Sequence, residues 1–284
     1  MPGFRPCKKA TAAVWLHWQM GRLRSWLKGH IAMRIENLYR YPVKGLTAEA
    51  LESVDVVAGG CIPWDRAFAL AQGDAAFDPG APGWLPKTEF MCQMKNASIA
   101  ALFSCFEPRS GMLTIRAPDG AAIAENALTS VGRDRIARFL GDYLGDEARG
   151  TPRFHHTPGH SFSDQATKGL SLINVASLRE YESRVGARRH RRRFRANVWF
   201  SGATPWSERL WIGQQIQIGG AVLRVRKPIV RCPATEVNPV TAVRDAIPVA
   251  ELRRLFGHSE LGVHAEVVEA GRIAVGDAIE ILPP

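Results

Sequence analysis

The sequence predicts an α+β fold that is mainly β, built from two β-rich halves with a few short helices. Three observations lead there. Short apolar runs of strand period, closed by glycine or proline, recur along most of the chain after Met33. Helical spacing is confined to a few stretches. Between them, the segment Arg149 to Asp164 is rich in Thr, Pro, Gly, Ser and His, and reads as an irregular connection between the halves.

Taken in order, RIENLYRYPVKGL alternates as a strand that ends at Tyr41-Pro42, and LESVDVVAGG as a second strand stopped by Gly59 and Gly60. DRAFALAQ gives a third. LTIRAPDGAAIAE has the pattern of a hairpin turning at Pro118-Asp119-Gly120. SVGRDRIARFLGDYLG places Val131, Ile136, Phe139, Leu140 and Leu144 at helical spacing before a stop at Gly145. SLINVASLREYESRVG predicts a strand running into a helix, with Ser177 as a cap. ANVWFSG, RLWIGQQIQIGGAVLRVRKP, GVHAEVVEAG and AVGDAIEIL are strand-like, and Gly213, Gly219, Gly220, Gly271 and Gly276 punctuate them. That rhythm predicts an antiparallel, barrel-like domain, with PVAELRRLFGHS as a short helix inside it.

The 284 residues, 46% of them hydrophobic, can bury a substantial core, and no apolar run is long enough for a transmembrane span. The net charge of +10 is concentrated in two places. Arg5, Lys8, Lys9, Arg22, Arg24, Lys28 and Arg34 stand in an acid-free N-terminus, and ARRHRRRFR carries six arginines between Arg188 and Arg195. The rest of the chain is slightly acidic, so a nucleic-acid face is not expected. Of the second run, Arg188 to Arg193 reads as a solvated loop. The five cysteines, none spaced as C-x-x-C, argue against a disulfide framework and a structural zinc site and fit a reducing, cytoplasmic setting. Residues 1–32 read as a basic amphipathic extension, with Leu16, Met20, Leu23 and Leu27 on one face. A targeting presequence, an interfacial membrane helix, a helix docked on the domain and an upstream extension of a frame starting at Met33 all remain open for it.

RFRANVWFSG, PWSERLWIGQQIQIGGAVLRV, RCPATEVNP and GVHAEVVEAGRIAVGDAIEIL resemble, in order and spacing, the MOSC domain of molybdenum cofactor sulfurases and amidoxime-reducing proteins. YRYPVKGL and the DRAFAL strand are similar to the N-terminal β domain that accompanies MOSC in the amidoxime-reducing branch. The resemblance implies an N-terminal β-rich domain over 33–148, packed on a MOSC-type β-barrel with short flanking helices over 149–284. It also implies a molybdenum–molybdopterin cofactor (Moco) ligated by the cysteine of the RC motif, which is Cys232. The local chemistry suits this, because a thiolate is a soft ligand and Arg231 beside it favours the ionised form. The alternative is a cysteine that merely fills the core.

By position in the same motifs, Lys44, Arg66, Arg195 and Asn197 correspond to cofactor contacts, with Arg offering a bidentate fork to an anion. Without the resemblance, Lys44 and Arg66 would read as solvated strand-end charges. Thr235 and Asn238 are expected to hold the metal loop by local hydrogen bonds, and Arg244 and Asp245 to pair with each other. Two positions depart from the family pattern. Gly45 stands where a small polar residue is frequent, and Ala242 where glycine is common. His155, His156 and His160 lack a zinc spacing and read as loop histidines.

Two functions compete. One is an oxidoreductase that removes oxygen from a small N-hydroxylated substrate. The chain carries no nucleotide fingerprint, haem motif or iron–sulfur cysteine set, so its electrons must come from a separate donor protein, a flavin or iron–sulfur reductase. The other is a non-redox carrier of the cofactor or of sulfur, using Cys232 as a persulfide. Membrane or nucleic-acid binding would rest on residues 1–32 alone.

Overall fold

The computed structural model describes residues 32–283. Met33–Pro284 form one compact unit, and the amphipathic stretch expected before Met33 lies outside the described residues, as does Cys7. The first half of that unit contains β1 (Arg34–Arg40), β2 (Glu49–Leu51), β3 (Ser53–Val56), β4 (Phe68–Ala71), β5 (Phe103–Glu107), β6 (Met112–Arg116), β7 (Ala122–Asn126) and helix α1 (Ser130–Leu144). The second contains β8 (Arg153–His156), β9 (Leu170–Asn174), α2 (Val175–Val185), β10 (Val198–Ser201), β11 (Gln215–Ile218), β12 (Ala221–Val230), α3 (Pro248–Phe256), β13 (Glu260–Glu269), β14 (Gly271–Ala274) and β15 (Ile279–Ile281). Mainly β with three α-helices among the described residues, this is the expected fold class.

Eight strands form one sheet in the order β15-β11-β12-β13-β9-β10-β1-β2, which curls into a half barrel. Its inner face buries Ile35, Leu38, Leu172, Phe200, Ile216, Leu223 and Val263 in one apolar cluster. Each such side chain contributes about 1.5–3 kcal/mol by leaving water. The sheet is not wholly antiparallel, because β9 and β10 pair in parallel through α2. A parallel pair needs a crossover, and the helix supplies it.

A second cluster joins α1 to the β5-β6-β7 sheet, where Ile136 and Leu140 meet Phe106, Leu113 and Ile115. The Thr129 side chain caps α1 by accepting from the Gly132 amide at 3.1 Å. Gly132 is required there, since a Cβ would lie 2.0 Å from the Asn126 carbonyl oxygen.

Three local expectations change. LESVDVV divides at Glu52, with β2 pairing to β1 and β3 to β14. The stretch Arg149 to Asp164 contains β8, which pairs with β4 and joins the first half to the second. Asn174, not Ser177, caps α2: its side chain accepts from the Ala176 amide at 3.0 Å. Ser177 is instead buried, and its hydroxyl donates to Glu208. Among the described residues no helix is long and apolar enough to cross a membrane.

Candidate functional site

The chain leaves β12 into a short turn that carries Cys232. Arg231 fixes its entry: the backbone amide donates to Ser259 O at 2.7 Å, and the buried guanidinium donates to Leu261 O and to Phe194 O, the latter at 2.8 Å. Cys232 then begins a 3-10 turn over Pro233–Glu236, and the Thr235 amide and hydroxyl both donate to its carbonyl, at 3.0 and 2.9 Å. Thr235 therefore holds the turn as expected. The thiol itself is half-buried.

Arg193 and Arg244 brace this turn from outside. Arg193, expected in a solvated run, is buried, pairs with Asp245 and donates to Glu236 O at 2.8 Å. Arg189 pairs with Glu251 and Arg191 with Glu36, so the basic run is stitched to neighbouring elements. Arg244 and Asp245 do not pair with each other. Arg244 instead donates to Pro233 O at 3.0 Å and to Met94 O at 2.7 Å, and Asp245 also accepts from Asn238 Nδ2 at 2.7 Å.

Cys232 lines a cavity of about 450 Å³ together with Lys44, Arg66, Arg195, Asn197 and Thr235. Asn238 does not line it and acts only within the turn. Lys44 is 7% exposed; its ammonium donates to Phe162 O at 2.9 Å and pairs with Asp164. The next residue, Gly45, has φ +88, and a Cβ there would meet the Ile99 side chain at 2.7 Å, so a glycine suits this turn where the family pattern allows a small polar residue. Arg66 and Arg195 both have left-handed backbones, φ 51 and 49, and their guanidiniums lie 4.5 and 4.4 Å from the Tyr41 ring centroid. Arg66 pairs with Asp65, whereas Arg195 donates to the Leu46 carbonyl at 2.7 Å. Asn197 spends its side chain inside the sheet, accepting from Ser171 Oγ at 2.8 Å and donating to Tyr39 O at 3.2 Å. It lines the cavity wall while its side chain ties β9 and β1 together two residues after Arg195.

Six cationic side chains line the cavity (Lys44, Arg66, Lys87, Arg193, Arg195 and Arg231) against two carboxylates, Asp65 and Asp164. Burial pulls Arg195 and Arg231 down to about 10, and neither has a carboxylate in ion-pair contact among the described residues. Burial also lowers Lys44, partly offset by Asp164, whose own carboxyl is held below the usual range by Lys44 against its desolvation. Lys87 is held above its ordinary value: burial opposes this, but the Cys232 sulfur and Asp164 outweigh it. A buried guanidinium without a carboxylate, as at Arg231, is costly unless an anion meets it, and the left-handed backbones of the half-buried Arg66 and Arg195 add about 1–2 kcal/mol each. Such strain concentrates where a ligand is held. The arrangement is a cavity with an excess of positive charge and a soft thiol on its wall.

The three histidines serve packing. His155 and His156 sit in β8, not a loop, with rings 5.0 Å from Phe77 and 4.9 Å from Phe68; His160 lies 4.7 Å from Phe162. No group of three or more His, Cys, Asp or Glu side chains among the described residues is arranged to hold a metal.

The model of the MOSC domain matches residues 154–280, and that of the MOSC N-terminal beta barrel domain matches residues 32–147. The chain belongs to the MOSC domain family. No curated protein matches it. Among solved structures, this MOSC protein is similar to the YUAD protein from Bacillus subtilis at 16% identity and a TM-score of 0.44, over 88% of this chain and 96% of that one. It is also similar to YiiM from Geobacillus stearothermophilus at 18% identity and a TM-score of 0.32, over 40% of this chain and 54% of that one. MOSC domains are associated with molybdenum cofactor sulfurases and with molybdopterin binding. The residues present suit that group: a half-buried thiol offers a soft ligand, and two guanidiniums lacking carboxylate partners offer a home for its anionic end.

Tyr41, Lys87, Asp164 and Arg193 belong to the site and were not singled out in the sequence. Tyr41 alone had a signal, standing in the YPVKG motif beside Lys44.

Proposed function

We propose that this MOSC protein is a molybdenum-dependent oxidoreductase that reduces small N-hydroxylated substrates, with Moco bound in the cavity and the Cys232 thiolate as the protein's ligand to molybdenum. The observation that carries the reading is that the Cys232 sulfur opens onto the same cavity as Arg195 and Arg231, which have no carboxylate of their own. In this reading Lys44, Arg66 and Arg195 bind the cofactor's anionic end, and Asn197, Thr235 and Asn238 keep those groups and the Cys232 turn in register. The two domains are residues 33–148 and 149–284, with the cavity formed by side chains of both.

When bound, the group supplies two-electron chemistry. The substrate's N–O bond breaks, two electrons and two protons are taken up, and the oxygen leaves as water. The electrons come from a separate flavin or iron–sulfur donor protein. This chain's residues bind and orient. Lys87 lines the cavity with Cys232, and the Arg193 and Arg244 braces hold the turn that carries the sulfur in one position. Free thiols on Cys61, Cys92, Cys105 and Cys232 suit a reducing, cytoplasmic setting.

The test is elemental analysis of wild type beside Cys232→Ala after expression in a cofactor-competent host, with reduction of benzamidoxime by an artificial donor. Near-stoichiometric molybdenum in wild type, with at least a hundredfold loss of turnover in the variant, is expected. Wild type without molybdenum, and carrying a labile added sulfur on Cys232 by mass spectrometry, would replace this reading with the carrier.

A further inference from the structure

The cavity changes character from floor to mouth. Lys44, Arg231 and Thr235 are buried on its inner wall, whereas its outer edge carries Trp84, 49% exposed, and Val230, 65% exposed. Pro86, exposed, and Ile229, half-buried, also line it. A large aromatic ring left half in water beside a polar cavity gains from being covered, and it is placed to be covered by whatever enters.

The chain around Trp84 is built to present it. The preceding run, DPGAPGW, contains Pro79 and Pro82, and Pro86 follows; each fixes its own φ and lowers the entropy lost on holding one conformation. Leu85, the immediate neighbour, is packed against the cluster of Ala75, Phe77, Phe90 and Phe162, which anchors the segment while Trp84 faces the opening. Three residues on, Lys87 lines the same cavity as Cys232. The ring is thus tied by a short stretch of chain to a residue that shares the cavity with Cys232, the proposed ligand to molybdenum.

We infer that Trp84 is a specificity-determining residue: with Pro86 and Val230 it forms an apolar lip that stacks on the flat body of the substrate while the polar N–O head points inward. The ligand class is a planar aryl compound with a compact polar head, in preference to an alkyl compound with the same head. This rests on the proposed reductase reading for the identity of the head group, but not for the lip itself. In this arrangement the inner-wall cations and the Cys232 turn would meet the polar head, which leaves the choice between an aryl and an alkyl body to the lip.

Two measurements on the full chain as purified test it. In saturation-transfer NMR, the ring protons of benzamide should receive saturation from wild type and from Trp84→Phe, and lose most of it with Trp84→Ala, while the methyl of acetamide shows none with any of the three. In turnover, Trp84→Ala should raise KM for benzamidoxime by roughly tenfold with kcat within about twofold, leave KM for acetamidoxime unchanged, and be rescued by Trp84→Phe. Equal ring saturation from wild type and Trp84→Ala, or no ring saturation from wild type, overturns the inference. If neither oxime is reduced, the reductase reading falls while the NMR comparison still decides the lip. Trp84 is exposed enough that its truncation leaves the core intact, which a matching thermal melt verifies.

Discussion

His264 lines the same cavity, yet its role is written in its charge state. Burial, with Lys227 and Arg66 adding repulsion, pulls its imidazole from 6.5 down to about 4. The unfolded chain takes up this proton near pH 6.5, and the folded chain only near pH 4. The stability tied to a neutral His264 is therefore complete above pH 6.5 and is lost progressively as pH falls toward 4. At about pH 5 that loss approaches roughly 2 kcal/mol. His155, lowered to about 4 by burial and Arg153, adds in the same direction. Unfolding free energies from denaturant titrations at pH 7 and pH 5 should differ by at least about this amount, and His264→Leu should narrow the difference; an unchanged gap would mean His264 is not the source. Of the site's residues, Cys232, Lys44, Arg66 and Arg195 were legible because each sits in a short motif. Arg193, Lys87 and Asp164 were not, because their roles depend on partners far along the chain: Arg193 on Asp245, Asp164 on Lys44, Lys87 on Cys232. A basic run looks like a solvated surface until the fold shows which carbonyls it faces.

At the scale of the element, the piece that matters most is the pair of turns after β12. The first, over Pro233–Glu236, carries Cys232, and the second returns from Asn238 to Ala242, whose amide donates to Asn238 O at 2.9 Å. Ala242 closes it at φ +57, a conformation that costs an alanine about 1–2 kcal/mol and a glycine almost nothing. Glycine would also give the unfolded chain about 0.4–1 kcal/mol of extra entropy. Ala242→Gly should therefore stabilise the protein by a net of about 0.5–1 kcal/mol in chemical denaturation, and a loss of stability would show that Ala242 makes a contact worth more than its strain. Elements with their own turn chemistry were readable in advance. The β6–β7 hairpin turns at Pro118-Asp119-Gly120, and α1 stops at Gly145. β8 was hidden because RFHH lies among turn-forming residues, and its strand identity comes from pairing with β4. The parallel β9–β10 pair was equally hidden, since direction is decided by the crossover and leaves no mark in a strand's own periodicity.

For the whole molecule, the two halves read from the sequence share one sheet. β1 and β2 extend it beyond β10, and β3 pairs with β14 near the far end of the chain. Ile35, Leu38, Val56 and Ile62 from the first half complete an apolar cluster otherwise drawn from the second. A fragment over residues 149–284 would lack those four side chains, whose burial contributes on the order of 6–12 kcal/mol. That is comparable to the entire stability of an ordinary domain. It would also expose the edge of β10 as an open row of backbone donors and acceptors, a template for aggregation. The expected result is that the fragment 149–284 alone shows no cooperative thermal transition and precipitates, while its co-expression with residues 33–62 restores a soluble complex with a sharp melt. A fragment that folded cooperatively by itself would show that the second half carries a complete core, and that the strands of the first half are an addition to it rather than part of its frame.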